Sequence, residues 1–351
     1  MTVPSFGMRP GAFPRALACL LLATLAACGS TPPSPAPVVP DATGTMTSAP
    51  PIRIGIALGG GAAKGFAHIG VIKMLEANGF APSVVAGTSA GSVVGALYAS
   101  GMNAFELQEK AVALDEARIR DLQLSSGGLV LGQKLEDYVN EQVRRKPLEQ
   151  LAKPFVAVAT RLEDGERTVF ARGNTGQAVR ASSSVPGVFQ PVTIGKYHYV
   201  DGGIVSPVPV DAARQLGADV VVAVDISNKA RGQTPSHLLG ALNQSIAIMG
   251  QKLGQAELAR ADIIIRPQVL DMGPADFTQR ASAIVEGEKA ALAVMPQLRE
   301  RVAKLQAERA QAVRQAQQKA AEAEHKACLE NRSRLQKLAG TVGLDGSCDR
   351  P

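Results

Sequence analysis

The sequence predicts an α/β domain built on a largely parallel sheet, and three observations point there. Short β-branched runs alternate with helix-length segments. Strands are expected over 52–58, 84–86, 154–160, 196–200, 220–225 and 262–266, with helices near 65–78, 90–100, 132–144, 206–216 and 236–259. Glycine clusters stand where strands hand over to helices. The 351 residues, 46% of them hydrophobic, supply enough apolar material for one sizeable core.

The first residues read as an export leader. Arg9 and Arg15 make a positive start, and Ala16 to Ala27 form an apolar stretch of twelve residues. That is too short to span a bilayer, which takes roughly 20. The stretch ends in Leu25-Ala26-Ala27-Cys28, which resembles the bacterial lipobox. The resemblance implies a signal peptide over 1–27 and a lipidated Cys28 as the first mature residue. Two or three acyl chains would then anchor the protein without a transmembrane helix. Gly29 after the cysteine, in place of Asp, implies a periplasm-facing lipoprotein of the outer membrane, within the bacterial cell envelope. A plain cleaved signal with a chance cysteine is the alternative. Residues 29–51 hold seven prolines among Ser, Thr and Ala, so 28–51 is expected to be a tether without a core.

The folded part is expected from Ile52. Ile52 to Leu58 alternates as a strand and runs straight into Gly59-Gly60-Gly61-Ala62-Ala63-Lys64-Gly65 and a helix. Strand, glycine loop and helix together leave backbone N–H groups free to meet an anion. A dinucleotide fingerprint would need Gly at position 64. A P-loop would need Gly before Lys64 and Ser or Thr after it; Ala63 and Gly65 stand there. An oxyanion hole needs only close backbone donors and meets neither objection.

Ser83 to Ala86 reads as a short strand leading to Gly87-Thr88-Ser89-Ala90-Gly91 and a small-residue helix. This is the G-x-S-x-G turn, in which a nucleophilic Ser projects from a sharp strand-to-helix junction. A glycine-rich turn capped by Ser is the plainer reading. Tyr197 to Val200 reads as a third strand, ending at Asp201-Gly202-Gly203. A nucleophilic Ser needs a base, commonly His. His68 lies within the first helix, His325 in the charged tail, and His198 at an odd offset from Asp201 on the same strand, hence on its other face. His237 alone follows Ser89 and Asp201 in the chain order of an α/β-hydrolase triad, on what reads as a surface loop.

Gly-Gly-Gly-x-x-Lys-Gly at 59–65, Gly-Thr-Ser-Ala-Gly at 87–91 and Asp-Gly-Gly at 201–203 resemble, in order, the three catalytic blocks of patatin-like phospholipases. The likeness extends to Arg180–Pro191 and Gly217–Asp225, and more loosely to about residue 296. It implies a three-layer α/β/α sandwich and a lipid acyl hydrolase: phospholipase A, lysophospholipase or esterase. It further implies Ser89 as nucleophile, Asp201 as base, and the N–H groups of Gly59, Gly60 and Gly61 as oxyanion donors. Lys64, Gly65, Gly87, Gly91, Gly202 and Gly203 complete the motifs. The family carries Arg where this chain has Lys64, which keeps the charge and loses the bidentate fork.

The remaining readings concern the ends and the exclusions. Residues 115–131 read equally as a flap near the site or an ordinary loop. From Gln297 to about Ala339 the chain lacks Gly and is rich in Ala, Gln, Arg, Lys and Glu, so a long helix is expected, with 52–296 the hydrolase domain and 297–351 a basic extension. Cys328 and Cys348 are expected to form a disulfide in an oxidising compartment. No Cys/His cluster has metal spacing, and no metal or other cofactor is expected. The net charge of +6 lies in the leader and the tail, and the chain has no Trp, so nucleic acid is not an expected partner. The expected partners are a phospholipid or other acyl ester as substrate and a membrane through Cys28. A His237-dependent hydrolase or acyltransferase, and a scaffold that tethers a partner through the C-terminal helix, are the competing functions.

Overall fold

A computed structural model describes residues 49–119, 121–125, 128–227 and 238–339. The expected signal peptide, Cys28, most of the expected tether, His237 and Cys348 lie outside the described residues. The chain divides into units 1–45 and 46–351, and all described residues belong to the second.

Its frame is an eight-stranded sheet. Five strands run parallel: β1 (Ile54–Leu58), β2 (Val84–Thr88), β5 (Phe155–Arg161), β9 (Val220–Val224) and β10 (Ile263–Ile265). β6 (Arg167–Phe170), β7 (Val192–Ile194) and β8 (Tyr197–Asp201) add an antiparallel side, giving the path β10-β9-β1-β2-β5-β8-β7 with β6 on β5. β3 (Leu122–Ser125) and β4 (Gly128–Val130) form a separate two-stranded ribbon within the segment read as flap or loop.

Alternate side chains of the central strands enter two different cores, which is what makes three layers. Val220, Val222 and Val224 of β9 join Ile54, Ile56 and Leu58 of β1 in the larger core. Val221 and Ala223 face the smaller one with Ala57. Strands covered on both faces read as unbroken apolar runs, and β9 and β1 do. Each fully buried Val, Ile or Leu contributes roughly 1.5–3 kcal/mol to the fold. The larger core is closed by α1 (Phe66–Ala77), α2 (Ala90–Ala99), α3 (Ala104–Val112), α4 (Gln133–Gln142), α5 (Thr175–Ser182) and the start of α8 (Arg280–Ala339). The smaller core is closed by α6 (Val210–Gln215) and the end of α7 (Leu238–Leu258).

The expected boundary between 296 and 297 falls inside one helix. α8 runs 60 residues with Pro296 in its interior. Its first part belongs to the core: Ala283, Ile284, Ala291, Met295, Leu298 and Val302 are buried. A Cβ on Gly287 would sit 2.0 Å from the Ala67 carbonyl oxygen, so glycine there lets α8 touch the α1 backbone. The part past Gln311 is mostly exposed. It carries Cys328, which is disulfide-bonded.

Candidate active site

The pairing of β5 explains why two residues 112 positions apart come together. Ala157 and Val158 pair with both β2 and β6, so those strands occupy opposite edges. Ala159 and Thr160 pair with both β6 and β8, which places β8 on the same edge as β2. β2 and β8 therefore approach head to head along one edge of β5. Thr88 stands opposite Val158, and Asp201 opposite Ala159. The next residue of β2's chain is Ser89.

Ser89 begins α2 with φ 54° and ψ −125°, a region that non-glycine residues rarely enter. Such a conformation costs about 1–3 kcal/mol and persists only where neighbours enforce it. They do so here. The Ser89 N–H donates to Ser182 Oγ at 2.9 Å, and that hydroxyl donates to the Val158 carbonyl at 2.6 Å. Thr88 Oγ1 donates to the Ser206 carbonyl at 2.8 Å. Gly91 packs against β1 so closely that a Cβ would lie 2.1 Å from the Leu58 carbonyl oxygen. A Ser at a helix start ordinarily spends its hydroxyl on capping. Ser89 makes no such cap bond.

Asp201 is held as firmly. Its N–H donates to the Ser184 carbonyl at 2.8 Å, and its carbonyl accepts from Thr160 Oγ1 at 2.8 Å. Carboxylate oxygen Oδ1 accepts from the Gly203 N–H at 2.7 Å. Oδ2 is buried and makes no hydrogen bond among the described residues. The Ser89 hydroxyl acts on this carboxylate as a nearby donor without reaching a formed hydrogen bond. Burial pushes the Asp201 carboxyl up to about 6, against the Ser89 hydroxyl and the Gly203 N–H, which favour the charged form.

The glycine loop corrects one expectation. The Gly59 N–H donates to the Val224 carbonyl and the Gly60 N–H to the Pro207 carbonyl, each at 3.0 Å. Those two donors tie the loop to its neighbours and are not available to an oxyanion. Gly61 differs: its N–H, and that of Ala62, meet no acceptor among the described residues. Gly60 still borders Ser89, since a Cβ on it would lie 3.1 Å from Ser89 Cβ. Lys64 is buried in the short 3-10 turn Ala62–Gly65, and Gly65 abuts Ala90. Gly87 lies against Gly91 and Ser92, and Gly202 against the Val158 carbonyl.

Two histidines can be placed against the site. His198 is exposed and pairs with Glu163 at 2.8 Å, whereas Asp201 of the same strand is buried. His68 is fully buried, and its Nε2 meets the Gly59 carbonyl at 2.8 Å. Burial lowers its pKa to about 4, so the ring is neutral and Nε2 donates, bracing the glycine loop from beneath. Ser182 and Ser184 were visible only as part of the Arg180–Pro191 block; one props the Ser89 turn and the other fixes Asp201. Glu257 of α7 carried no sequence signal at all. It is buried, its carboxylate accepts from Ser206 Oγ and, at 2.9 Å, from the Val208 N–H, and burial pushes it up to about 7.

Residues 56–214 match the model of the patatin-like phospholipase family. An uncharacterized NTE family protein of Mycobacterium tuberculosis is 36% identical over 182 residues, 51% of this chain and 51% of that protein. Patatin-like phospholipase domain-containing protein 6 of Homo sapiens is 32% identical over 184 residues, 50% of this chain and 13% of that protein. Lysophospholipase NTE1 of Pyricularia oryzae is 26% identical over 279 residues, 70% of this chain and 19% of that protein. The chain thus spans about half the length of the mycobacterial relative and far less of the longer ones. VipD of Legionella pneumophila has a similar structure only at a TM-score of 0.48 and 16% identity, over 70% of this chain and 67% of that one, too slight to carry an argument. Motifs and family match agree on one conclusion: residues 56–214, the stretch that holds Ser89 and Asp201, belong to the patatin-like phospholipase family.

Proposed function

We propose that this protein is a serine acyl hydrolase that cleaves lipid acyl esters through Ser89 and Asp201. The observation that carries the reading is the Asp201 carboxylate: buried, raised to about 6, with one oxygen unpartnered beside an uncapped Ser89 hydroxyl. A base works best with a pKa near the operating pH, and burial moves this one in that direction. Ser89 Oγ attacks the ester carbonyl as Asp201 takes its proton. The resulting oxyanion meets the N–H of Gly61 and that of Ala90, the residue after the nucleophile at the start of α2. The tetrahedral intermediate collapses, Asp201 returns the proton to the leaving alcohol, and the acyl group stays on Ser89. Water, losing its proton to Asp201, then attacks the acyl-serine, and Ser89 leaves protonated. A lost oxyanion donor costs about 3–4 kcal/mol of transition-state stabilisation. Lipid esters are the substrate class because the matching family and the fungal relative are named for phospholipase and lysophospholipase activity.

The test is ester hydrolysis by the mature chain on a medium-chain p-nitrophenyl ester, followed by lysophospholipid. Ser89→Ala and Asp201→Asn should both lose turnover while His237→Ala keeps it. Loss in His237→Ala equal to that in Ser89→Ala would overturn the two-residue site in favour of a histidine triad. Anchoring through Cys28 is part of the proposal. It rests on the Leu-Ala-Ala-Cys sequence and is checked by metabolic labelling with an alkynyl fatty acid, which Cys28→Ala should abolish.

A further inference from the structure

Behind the site lies a short segment, 202–208, through which Asp201, the Ser89 turn and the glycine loop are mutually fixed. Its Ser206 carbonyl accepts from Thr88 Oγ1 at 2.8 Å, and Thr88 is the residue before Ser89. Its Pro207 carbonyl accepts from the Gly60 N–H at 3.0 Å. The two peptide carbonyls that hold the nucleophile turn and the glycine loop are thus consecutive. One carboxylate brackets them. Glu257 accepts from the Ser206 hydroxyl on one oxygen and from the Val208 N–H on the other, at 2.9 Å. Helix α7 reaches this place because it is smooth on the facing side. Gly250 lies against the Gly203 carbonyl and Gly254 against Pro207, and Glu257 follows on the same face.

We propose that Glu257 is a positioning residue for the Ser89 site, the clamp through which α7 sets both the turn that carries Ser89 and the glycine loop. The proposal rests on the reading of Ser89 as nucleophile. A buried carboxyl is an expensive way to hold a loop, since charge away from water is penalised and an apolar residue would pack there more cheaply. What the carboxylate supplies is two acceptors at fixed spacing. Asp211 of α6 adds to the cost of its charge, and Arg167 of β6 offsets part of it. Glutamine preserves the clamp: its carbonyl accepts from the Val208 N–H while its amide donates to Ser206 Oγ, whose hydroxyl turns round. Leucine keeps the volume and removes both bonds.

The experiment compares Glu257→Leu and Glu257→Gln with the parent in the full mature chain. It records kcat and KM on a medium-chain p-nitrophenyl ester, labelling of Ser89 by a fluorophosphonate, and the circular-dichroism melting curve. Glu257→Leu should lose kcat by about 10- to 100-fold with KM within about twofold, the signature of misplaced reacting groups with an intact binding surface. Glu257→Gln should recover to within about threefold of the parent, because it keeps both hydrogen bonds. Parental kcat in Glu257→Leu overturns the proposal, as does a Glu257→Gln as slow as Glu257→Leu. Should Glu257→Leu fail to fold, Ser206→Ala carries the same test by removing one of the two bonds. A several-fold fall in its kcat at constant KM supports the clamp, and a parental value overturns it. A parent that neither turns over ester nor labels at Ser89 removes the reading of the site and this proposal with it. A labelled parent with indifferent Glu257 variants removes the proposal alone.

Discussion

Asp201 and Glu257 are both buried carboxylates on the same short segment, one preceding it on β8 and one reaching it from α7. Their surroundings differ most in how the two oxygens are used. Both oxygens of Glu257 accept hydrogen bonds, whereas Asp201 fills only Oδ1 and leaves Oδ2 without a partner. Leaving a buried acceptor unsatisfied costs about 1–3 kcal/mol, so a folded protein retains one where it has a use. In the proposed mechanism the satisfied carboxylate holds backbone in place, and the unsatisfied one takes a proton from its neighbour. On this reading one empty acceptor separates the carboxylate proposed to react from the one proposed to hold.

The comparison breaks first on activity. Asp201→Asn keeps the shape and the Gly203 bond but cannot take a proton, and should lower kcat by about 10²–10⁴-fold, the usual worth of a positioned base. The Glu257→Gln change, chemically the same, should cost far less. Equal losses at the two positions would erase the distinction.

Stability against pH provides the next effect, and its sign is unusual for carboxylates. Both groups have folded pKa values above their ordinary ones, about 6 for Asp201 and about 7 for Glu257. A group raised on folding contributes stability below its unfolded pKa and loses it as the pH climbs through the folded value. The fold should therefore weaken between about pH 4 and pH 7, by on the order of 3 kcal/mol for each group. Carboxylates held low, such as Asp211 gripped by Arg260 at 2.7 and 2.8 Å, act oppositely, but only as the pH falls below about 4. Urea unfolding at pH 5 and pH 8 measures the slope. Asp201→Asn should be more stable than the parent at pH 8 while inactive, and Glu257→Gln should flatten the remainder. A parent equally stable at both pH values would remove the burial argument for both residues.

The two carboxylates were unequally legible in the sequence. Asp201 stands between a strand and two glycines, a local pattern that marks it as a candidate, and Ser89 does the same within Gly87-Thr88-Ser89-Ala90-Gly91. Glu257 is one acid in an ordinary helix, and its function arises from contact with residues 49 to 51 positions away. The glycine loop shows the converse. Three glycines announce that backbone comes close to something, but not which N–H stays free, and two are spent on Val224 and Pro207. The central strands were legible because sheets covered on both faces demand apolar runs. β6 and β7 are short and partly exposed, and α5 has only eight residues, so neither period nor hydropathy marked them. Pro296, just before the expected start of the long helix at Gln297, stands in the interior of a helix that begins at Arg280. It removes the bond to the carbonyl of Leu292, a residue that is 50% exposed, where water can satisfy the freed oxygen.

That continuation also yields the smallest expected effect. The part of α8 that ends with Val302 is core, and Arg309 still reaches Asp219 and the Pro50 and Pro51 carbonyls. Beyond Gln311 the described residues of the helix are mostly exposed. A chain ending at Ala310 should keep its kcat on soluble ester and melt within about 2–4 °C of the parent, since surface helix away from the core contributes little. Its pH slope should be the parent's, because Asp201 and Glu257 are untouched. A large fall in melting temperature with the slope preserved would make the exposed helix part of the fold's support. A changed slope would mean that the burial of one carboxylate depends on the extension, so that the holding and reacting sites are not set by the 202–208 segment alone.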